Sequence, residues 1–430
     1  MSRRGYQVQP FKKGPDYIDP LWLTQASGKP CYNLDFNTQT TDEIDCLWSA
    51  YEGEADIRFI EGNKGLFDGV DPLGSDCNAA LAKQLEVPVI LVVDVQGITR
   101  GVAPLVLGYQ QFDADINIIG IILNKVAGER HERKLRAALE EYTDLPVFGA
   151  VHRHADLAID ERHLGLVPSN EHKFVASKID TICEHIERQI DVAQLVEQLS
   201  IKTESHVTAS ADESPDTVLR IGIAQDSSFG FYYQDDLQAF ENAGAELLPV
   251  DLINDQALPN LDGLFIGGGF PEMHIQVLSA NQSMRESIRN AVEDNLPVYA
   301  ECGGLMYLCR QISWQGKTMP MAGAIPADVV MHERPQGRGY VKLKETSEHP
   351  WLQESDRVIH GHEFHHSSLE NIGADMAFAY DVVRGHGIAD GRDGIVYKNT
   401  LASYSHLRDT ESKHWIDEFI QYIKKCKNGS

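Results

Sequence analysis

The sequence predicts an α/β protein built from two doubly wound, mostly parallel-sheet domains. Three observations carry that expectation. Residues 86–95 and 116–126 are continuous apolar runs, the pattern of strands buried on both faces of a parallel sheet. Helical patterns alternate with them at Asp76 to Leu85, Thr99 to Gln111 and Glu129 to Tyr142. A fresh alternation of the same style begins at Val218, after a polar Ser/Thr-rich stretch over 200–217.

In order along the chain, a short strand leads into the charged stretch 9–20, and a second strand spans Ile57 to Ile60. The two apolar runs and their helices follow, and a long helix from Glu171 to Leu199 closes the first half. Residues 200–217 read as a linker. The second half offers strands at Val218 to Ala224, Ala245 to Val250, Gly263 to Gly267 and Leu296 to Ala300, a helix from Leu305 to Gln311, and a late strand ending at His406. The expected domains are therefore 1–199 and 218–427, joined by the linker.

Composition bounds the function. A chain of 430 residues with 42% hydrophobic content can bury two or three cores. No apolar run approaches the roughly 18 residues that a membrane-spanning helix needs, so none is expected. The N-terminus is polar and lacks a signal-peptide core. Seven cysteines, an odd number without zinc-ligand spacing, read as reduced thiols in a cytoplasmic protein. The net charge of −26 disfavours nucleic acid and anionic membranes. An anionic substrate then needs local cations, and Lys12, Lys13, Lys64 and Arg100 are the candidates.

Two regions carry chemistry. At Val298–Leu305 a short apolar run stops at Cys302, and two glycines follow. This is how a parallel strand delivers a nucleophile onto a tight turn before a helix, with N–H groups free to face a developing oxyanion. A helix N-terminus also favours a thiolate. The bland alternative is a buried cysteine at a strand end, but His406 closes a second strand about a hundred residues on. A Cys and a His at two strand ends fit thiol-based acyl transfer.

The second region is the pair of clusters at 9–20 and 61–69. The first sets Lys12, Lys13, Asp16 and Asp19 among glycine and prolines at a strand end. Lysines there can meet phosphates, and carboxylates there can hold Mg²⁺ or steer a substrate. The second places Glu61 just past a strand, with glycines and Asp68 behind it, like a Walker B metal position. Either alone could be a charged surface turn. Together on one sheet edge they favour phosphate and metal chemistry.

Beyond these motifs, the chain resembles the cobyrinic acid a,c-diamide synthase family, which is related to cobyric acid synthase and dethiobiotin synthetase-like ATPases. The resemblance rests on phrases in order along nearly the whole chain: 11–20, 61–69 and 162–168, then 229–233, 267–272, 300–308, 361–367 and 401–407. It implies a P-loop NTPase-like synthetase domain followed by a class I glutamine amidotransferase domain. Cys302 would release ammonia from glutamine with His406 as base, and the backbone at Gly268 and Gly269 would help hold the oxyanion. The synthetase half would use ATP and Mg²⁺ to activate a carboxylate for amidation. Asp16, Asp19, Glu61 and Asp68 would serve metal binding and substrate activation, with Asp16 and Glu61 as metal ligands. Tyr17 lies in the same phrase, and Asn124 matches a position expected near the adenine. The expected partners are glutamine and an anionic tetrapyrrole, most plainly cobyrinate, with a homodimer left open.

Two departures stand out. No G-x-x-x-x-G-K-[ST] phrase occurs, where family members carry a first strand and a P-loop before the 9–20 cluster. A start placed too far downstream and a real loss both fit, and either leaves a gap in the sheet. Arg408 stands where many class I amidotransferases carry a glutamate two residues after the histidine, so no third catalytic member is carried over. Residues 393–399 weakly resemble a sirohaem-amidating branch, which keeps sirohaem or another sirohydrochlorin derivative as an alternative substrate. A glutaminase or binding protein with a degenerate synthetase half, and a peptidase-like thiol hydrolase, are readings from other classes. The histidines of 360–366 lack a complementary Cys or Asp spacing for a metal. His152 to Asp156 reads as a loop that holds substrate carboxylates, with Arg153 and Arg162, rather than as a metal site.

Overall fold

The long apolar runs of the first half do form parallel strands, at Val89–Asp94 and Ile118–Val126. The structure, a computed structural model, describes residues 1–162, 165–171, 174–199, 218–351 and 357–429. The predicted linker 200–217 lies outside the described residues. The chain divides into two units. The first holds residues 1–34 and 44 onward through the first half, and the second holds 35–43 and the second half. Residues 35–43 thus pack with the second unit, where Tyr340 donates to the Asp35 carboxylate at 2.8 Å.

Among its described residues the first unit carries two separate three-stranded parallel sheets. One orders Tyr32–Leu34, Val8–Lys13 and Ile57–Glu61; the other orders Val89–Asp94, Ile118–Val126 and Val147–His152. The helix Glu129–Tyr142 matches its sequence pattern end to end. The expected long helix over 171–199 is broken into Val175–Gln189 and Val192–Leu199. Ile190 leaves helical backbone to bridge Gly149, and the Asp191 carboxylate takes the Gln194 N–H at 3.0 Å to start the second helix.

The second unit is organised around a nine-stranded sheet. Its parallel part runs Ala245–Val250, Leu219–Ala224, Gly263–Ile266, Val298–Glu301 and Thr400–Ser403. Four antiparallel strands extend it: Arg392–Tyr397, Ala377–Arg384, Gly337–Glu345 and Val358–His365. One face is covered by the helix Trp415–Asn428, whose Trp415, Ile416, Phe419, Ile420 and Ile423 are buried at helical spacing. Their partners include Phe265, Tyr299 and Trp351. The helix sets acidic residues in its first turn and lysines in its last, in keeping with its dipole. The helix expected over 305–311 is shorter, Gly303–Leu308, and gives way to a hairpin of Cys309–Trp314 and Lys317–Pro320. Gln315 and Gly316 at its tip both have positive φ, which is how a two-residue turn joins strands of right-handed twist.

Candidate active sites

In the second unit the strand Val298–Glu301 ends at Cys302, whose backbone sits at φ 47°, ψ −99°. A non-glycine residue held there stores roughly 1–3 kcal/mol of strain, which the surroundings must impose. They do so by close approach. A Cβ on Gly304 would lie 2.1 Å from the Ile266 carbonyl, so glycine lets the new helix pack against the neighbouring strand. The Cys302 N–H is tied to the Ser403 carbonyl at 2.7 Å, and its Sγ lies 3.9 Å from the Phe364 carbonyl.

His406 comes from the adjacent strand's end. That strand stops at Ser403 rather than at His406, because the buried Asp393 carboxylate takes the N–H groups of Tyr404 and Ser405 and the Ser405 hydroxyl. The loop so held turns His406 toward the cysteine, and its ring reaches hydrogen-bond range of the Cys302 sulfur. Residues 393–399 therefore include a structural support for the histidine.

Sequence reasoning missed the third member of this group. Glu301, 2% exposed, places one carboxylate oxygen 3.2 Å from His406 Nδ1. Its other oxygen accepts from the Leu407 N–H at 2.9 Å and the Tyr299 hydroxyl at 2.8 Å. Burial opposes a charge on His406, but the adjacent Cys302 sulfur and Glu301 carboxylate outweigh it and raise the imidazole to about 10. A stacked neighbour, His362, lies 4.8 Å from His406, centroid to centroid. Burial, with His406 and Arg408 beside it, holds His362 well below the usual histidine range, so it stays neutral. Its Nδ1 sits 3.2 Å from the Tyr233 hydroxyl, and His360 Nδ1 sits 3.1 Å from the Asn37 carbonyl. Arg408 pairs with Asp235 at 2.7 Å and lies over the Tyr233 ring.

Gly268 and Gly269 form a short strand against Phe229–Phe231. A Cβ on Gly268 would fall 2.7 Å from His406 Cε1, and one on Gly303 would fall 2.9 Å from the Gly269 nitrogen. Both glycines therefore border the Cys–His pair.

In the first unit, the strand Val8–Lys13 brings Lys12 to its C-terminal end beside Ile57–Glu61, with Lys12 in register with Glu61. The Lys12 ammonium, nearly buried, is 2.6 Å from Asp19, 3.6 Å from Glu61 and 4.0 Å from Asp16. The Asp16 carboxylate also accepts from the N–H groups of Ile18 and Asp19, at the start of the helix Ile18–Ser27. Burial, then the neighbouring Asp19 charge, pushes the Asp16 carboxyl up to about 6. Glu61 is raised too, chiefly by burial. Lys13 is buried with its ammonium on the Asp76 carbonyl, and Tyr17 is buried nearby in sequence. Asn124 is the register partner of Asp94, which ends its strand, while the strand that holds Asn124 runs on to Val126. Lys64 and Asp68 are exposed, and exposed Arg100 lies over the Tyr142 ring. Of the predicted set, then, the structure gathers Lys12, Asp16, Asp19 and Glu61 into one cluster.

A model described as the CobB/CobQ-like glutamine amidotransferase domain matches residues 220–413, and an AAA domain model matches residues 17–160. The chain is 44% identical to the cobyrinate a,c-diamide synthase of Magnetococcus marinus, over 99% of this chain and 92% of that protein. The chain belongs to the cobyrinate a,c-diamide synthase family. The family relative from Methanosarcina acetivorans is 39% identical over 99% of this chain and 90% of its own length. That from Caldanaerobacter subterraneus subsp. tengcongensis is 37% identical over 96% and 91%. Cys302 and His406 both fall within the matched amidotransferase domain. Among the described residues, no helix is long and apolar enough to cross a membrane.

Proposed function

We propose that this protein is a carbon–nitrogen ligase that amidates the a and c acetate carboxylates of cobyrinate, with glutamine as nitrogen donor and ATP as energy source. The observation that carries the reading is the Glu301–Cys302–His406 group, within a chain related along nearly its full length to synthases named for this substrate.

In this reading Cys302 Sγ attacks the side-chain amide carbon of glutamine. The sulfur–carbon bond forms, the carbon–nitrogen bond breaks, and His406 delivers its proton to the departing nitrogen. Glu301 holds the imidazole in the tautomer and orientation this requires. Backbone N–H groups around Gly268, Gly269 and Gly303 would face the oxyanion; the supporting fact is their approach to His406 and to one another. Water then releases glutamate from the sulfur, with His406 acting as base.

The first unit would supply the acceptor. A carboxylate is a poor electrophile at neutral pH, so a phosphorylated carboxylate gives ammonia a leaving group to displace. One ammonium set against three carboxylates leaves the Lys12 cluster short of positive charge, and a cation fits that deficit. Asp16 and Glu61 would hold Mg²⁺, which when bound offsets phosphate charge. Asp19 and Asp68 would steer the substrate carboxylate, with Tyr17 beside them. Lys13 and Asn124 are assigned to the nucleotide, and Lys64 and Arg100 to anionic groups of the tetrapyrrole.

The sirohaem reading is not favoured. It rested on residues 393–399, and Asp393 has a structural task there.

The test is amide formation with glutamine, ATP and cobyrinate, read by mass, with sirohaem in parallel. Cobyrinate diamide that depends on both glutamine and ATP is the expected product. Amidated sirohaem with cobyrinate untouched would sink the proposal.

A further inference from the structure

We propose that His154, Asp156 and His185 form a binding site for a borderline divalent metal ion, best matched by Zn²⁺. As a sequence phrase, His154 and Asp156 lie in a stretch read as a loop for substrate carboxylates. The structure adds His185, contributed by the helix Val175–Gln189.

The geometry is that of a ligand set. Zn²⁺ holds nitrogen and oxygen ligands at about 2.0–2.2 Å, so two ligands at a tetrahedral angle lie ~3.4 Å apart. Asp156 Oδ2 is 3.4 Å from His154 Nδ1 and 3.9 Å from His185 Nε2. One donor atom from each of the three residues falls within 4.8 Å of the others. The two imidazole rings lie 4.3 Å apart at 38°, close enough to share one ion.

The hydrogen-bond pattern separates this from an ordinary polar cluster. His154 Nδ1 accepts the Asp156 N–H at 3.2 Å, which fixes that nitrogen as a lone-pair acceptor. It therefore has no proton to give the Asp156 carboxylate, which it faces at 3.4 Å. Two acceptors turned toward each other repel unless a cation stands between them. His185 Nε2, at 3.9 Å, is also beyond hydrogen-bond reach of that oxygen. A metal would take over the His154 lone pair from the weak backbone contact. The nearby His152 is committed elsewhere, to Glu132 at 2.8 Å.

Such an ion would pin the short turn Ala155–Leu157 to the helix Val175–Gln189. Lys178 already ties the same two elements by donating to the Asp156 carbonyl at 2.8 Å. With three protein ligands, the site keeps a position open for water or an anionic group.

The test uses the full chain carrying Cys302→Ala, so that the active-site thiol does not compete for metal. The protein is stripped with a chelator and titrated with Zn²⁺ in competition with a chromophoric chelator. One equivalent should bind at least tenfold more tightly than in the same protein with His185→Ala added. Asp156→Asn, which preserves the turn's shape, should show the same loss and guards against a misfolded histidine variant. Co²⁺ should give visible d–d bands without sulfur charge-transfer absorption. Equal Zn²⁺ affinity in all three proteins would overturn the proposal, as would cobalt bound through sulfur.

Discussion

The Glu301 carboxylate lies 3.2 Å from Nδ1 of His406, and the residue that follows Glu301 in the chain is Cys302. The last residue of one strand and the turn residue after it thus both meet the imidazole held in the loop after the adjacent strand. The pairing of Glu301 with Ser403 in the parallel ladder sets that register. Glu301→Gln tests it. The glutamine amide would donate to Nδ1, forcing the proton onto Nε2, which is the wrong tautomer for a base facing sulfur. Glutaminase kcat should fall by roughly 10²–10⁴-fold, with KM for glutamine much less affected. Unchanged kcat would remove Glu301 from the machinery.

Cys302→Ala separates the two chemistries. Glutamine-dependent amidation should disappear. Amidation with added ammonium should persist, because the acceptor chemistry is assigned to the other unit. Loss of both activities in a folded variant would show that the halves cannot be uncoupled this way.

The raised His406 predicts a pH dependence of stability. Its folded value is about 10, against an ordinary value near 6.5. The folded state thus holds a proton that the unfolded chain releases. This contribution is fully present below about pH 6.5 and is lost as pH rises toward 10. The urea midpoint of the wild type, relative to His406→Asn, should fall across that window. A constant difference would mean that His406 is not charged in the folded protein.

Gly268→Ala probes the space beside the histidine. The new methyl would fall 2.7 Å from His406 Cε1, and Glu301 limits where the ring can go. Glutaminase kcat should drop at least tenfold while the melting temperature moves little. A fully active variant would show that the ring yields freely.

Much of this was legible from local pattern. Cys302 announced itself by a strand that stops before two glycines, and the parallel core of both units by long apolar runs. Glu301 stood in plain view beside the cysteine, yet its partner is more than a hundred residues away. The available signal was a carboxylate ending a wholly buried strand, which needs a partner to remain there. Arg408 drew attention instead, because it occupies the position of a familiar glutamate; it is committed to Asp235. The break in the helix over 171–199 escaped a reading of periodicity alone. Ile190 fits a helical face as well as the β-bridge it makes to Gly149, and only Asp191 hinted at a new start. The His154–His185 approach depends on a turn and a helix meeting in space, which no spacing rule contains.

Asp16 sets binding against stability. Its carboxyl titrates at about 6 because it is buried and faces Asp19, whereas an unfolded aspartate ionises near 3.9. The folded state then holds a proton that the unfolded chain has released. The sign follows: Asp16 costs stability progressively as pH rises from about 4 to about 6, and the cost persists above that. Asparagine can still accept the Ile18 and Asp19 N–H groups, so Asp16→Asn keeps these hydrogen bonds at the helix start and removes the charge. The variant should melt higher than the wild type at pH 7.5 without added cation, and the gain should shrink at pH 4. It should lose Mg²⁺-dependent amidation while retaining glutaminase. In the wild type, Mg²⁺-dependent nucleotide binding should weaken as pH falls through about 6, because the proton competes with the cation for the carboxylate. A variant no more stable than the wild type at pH 7.5 would show that Asp16 is not strained by charge, and one fully active with Mg²⁺ would show that Asp16 is not used to bind the ion.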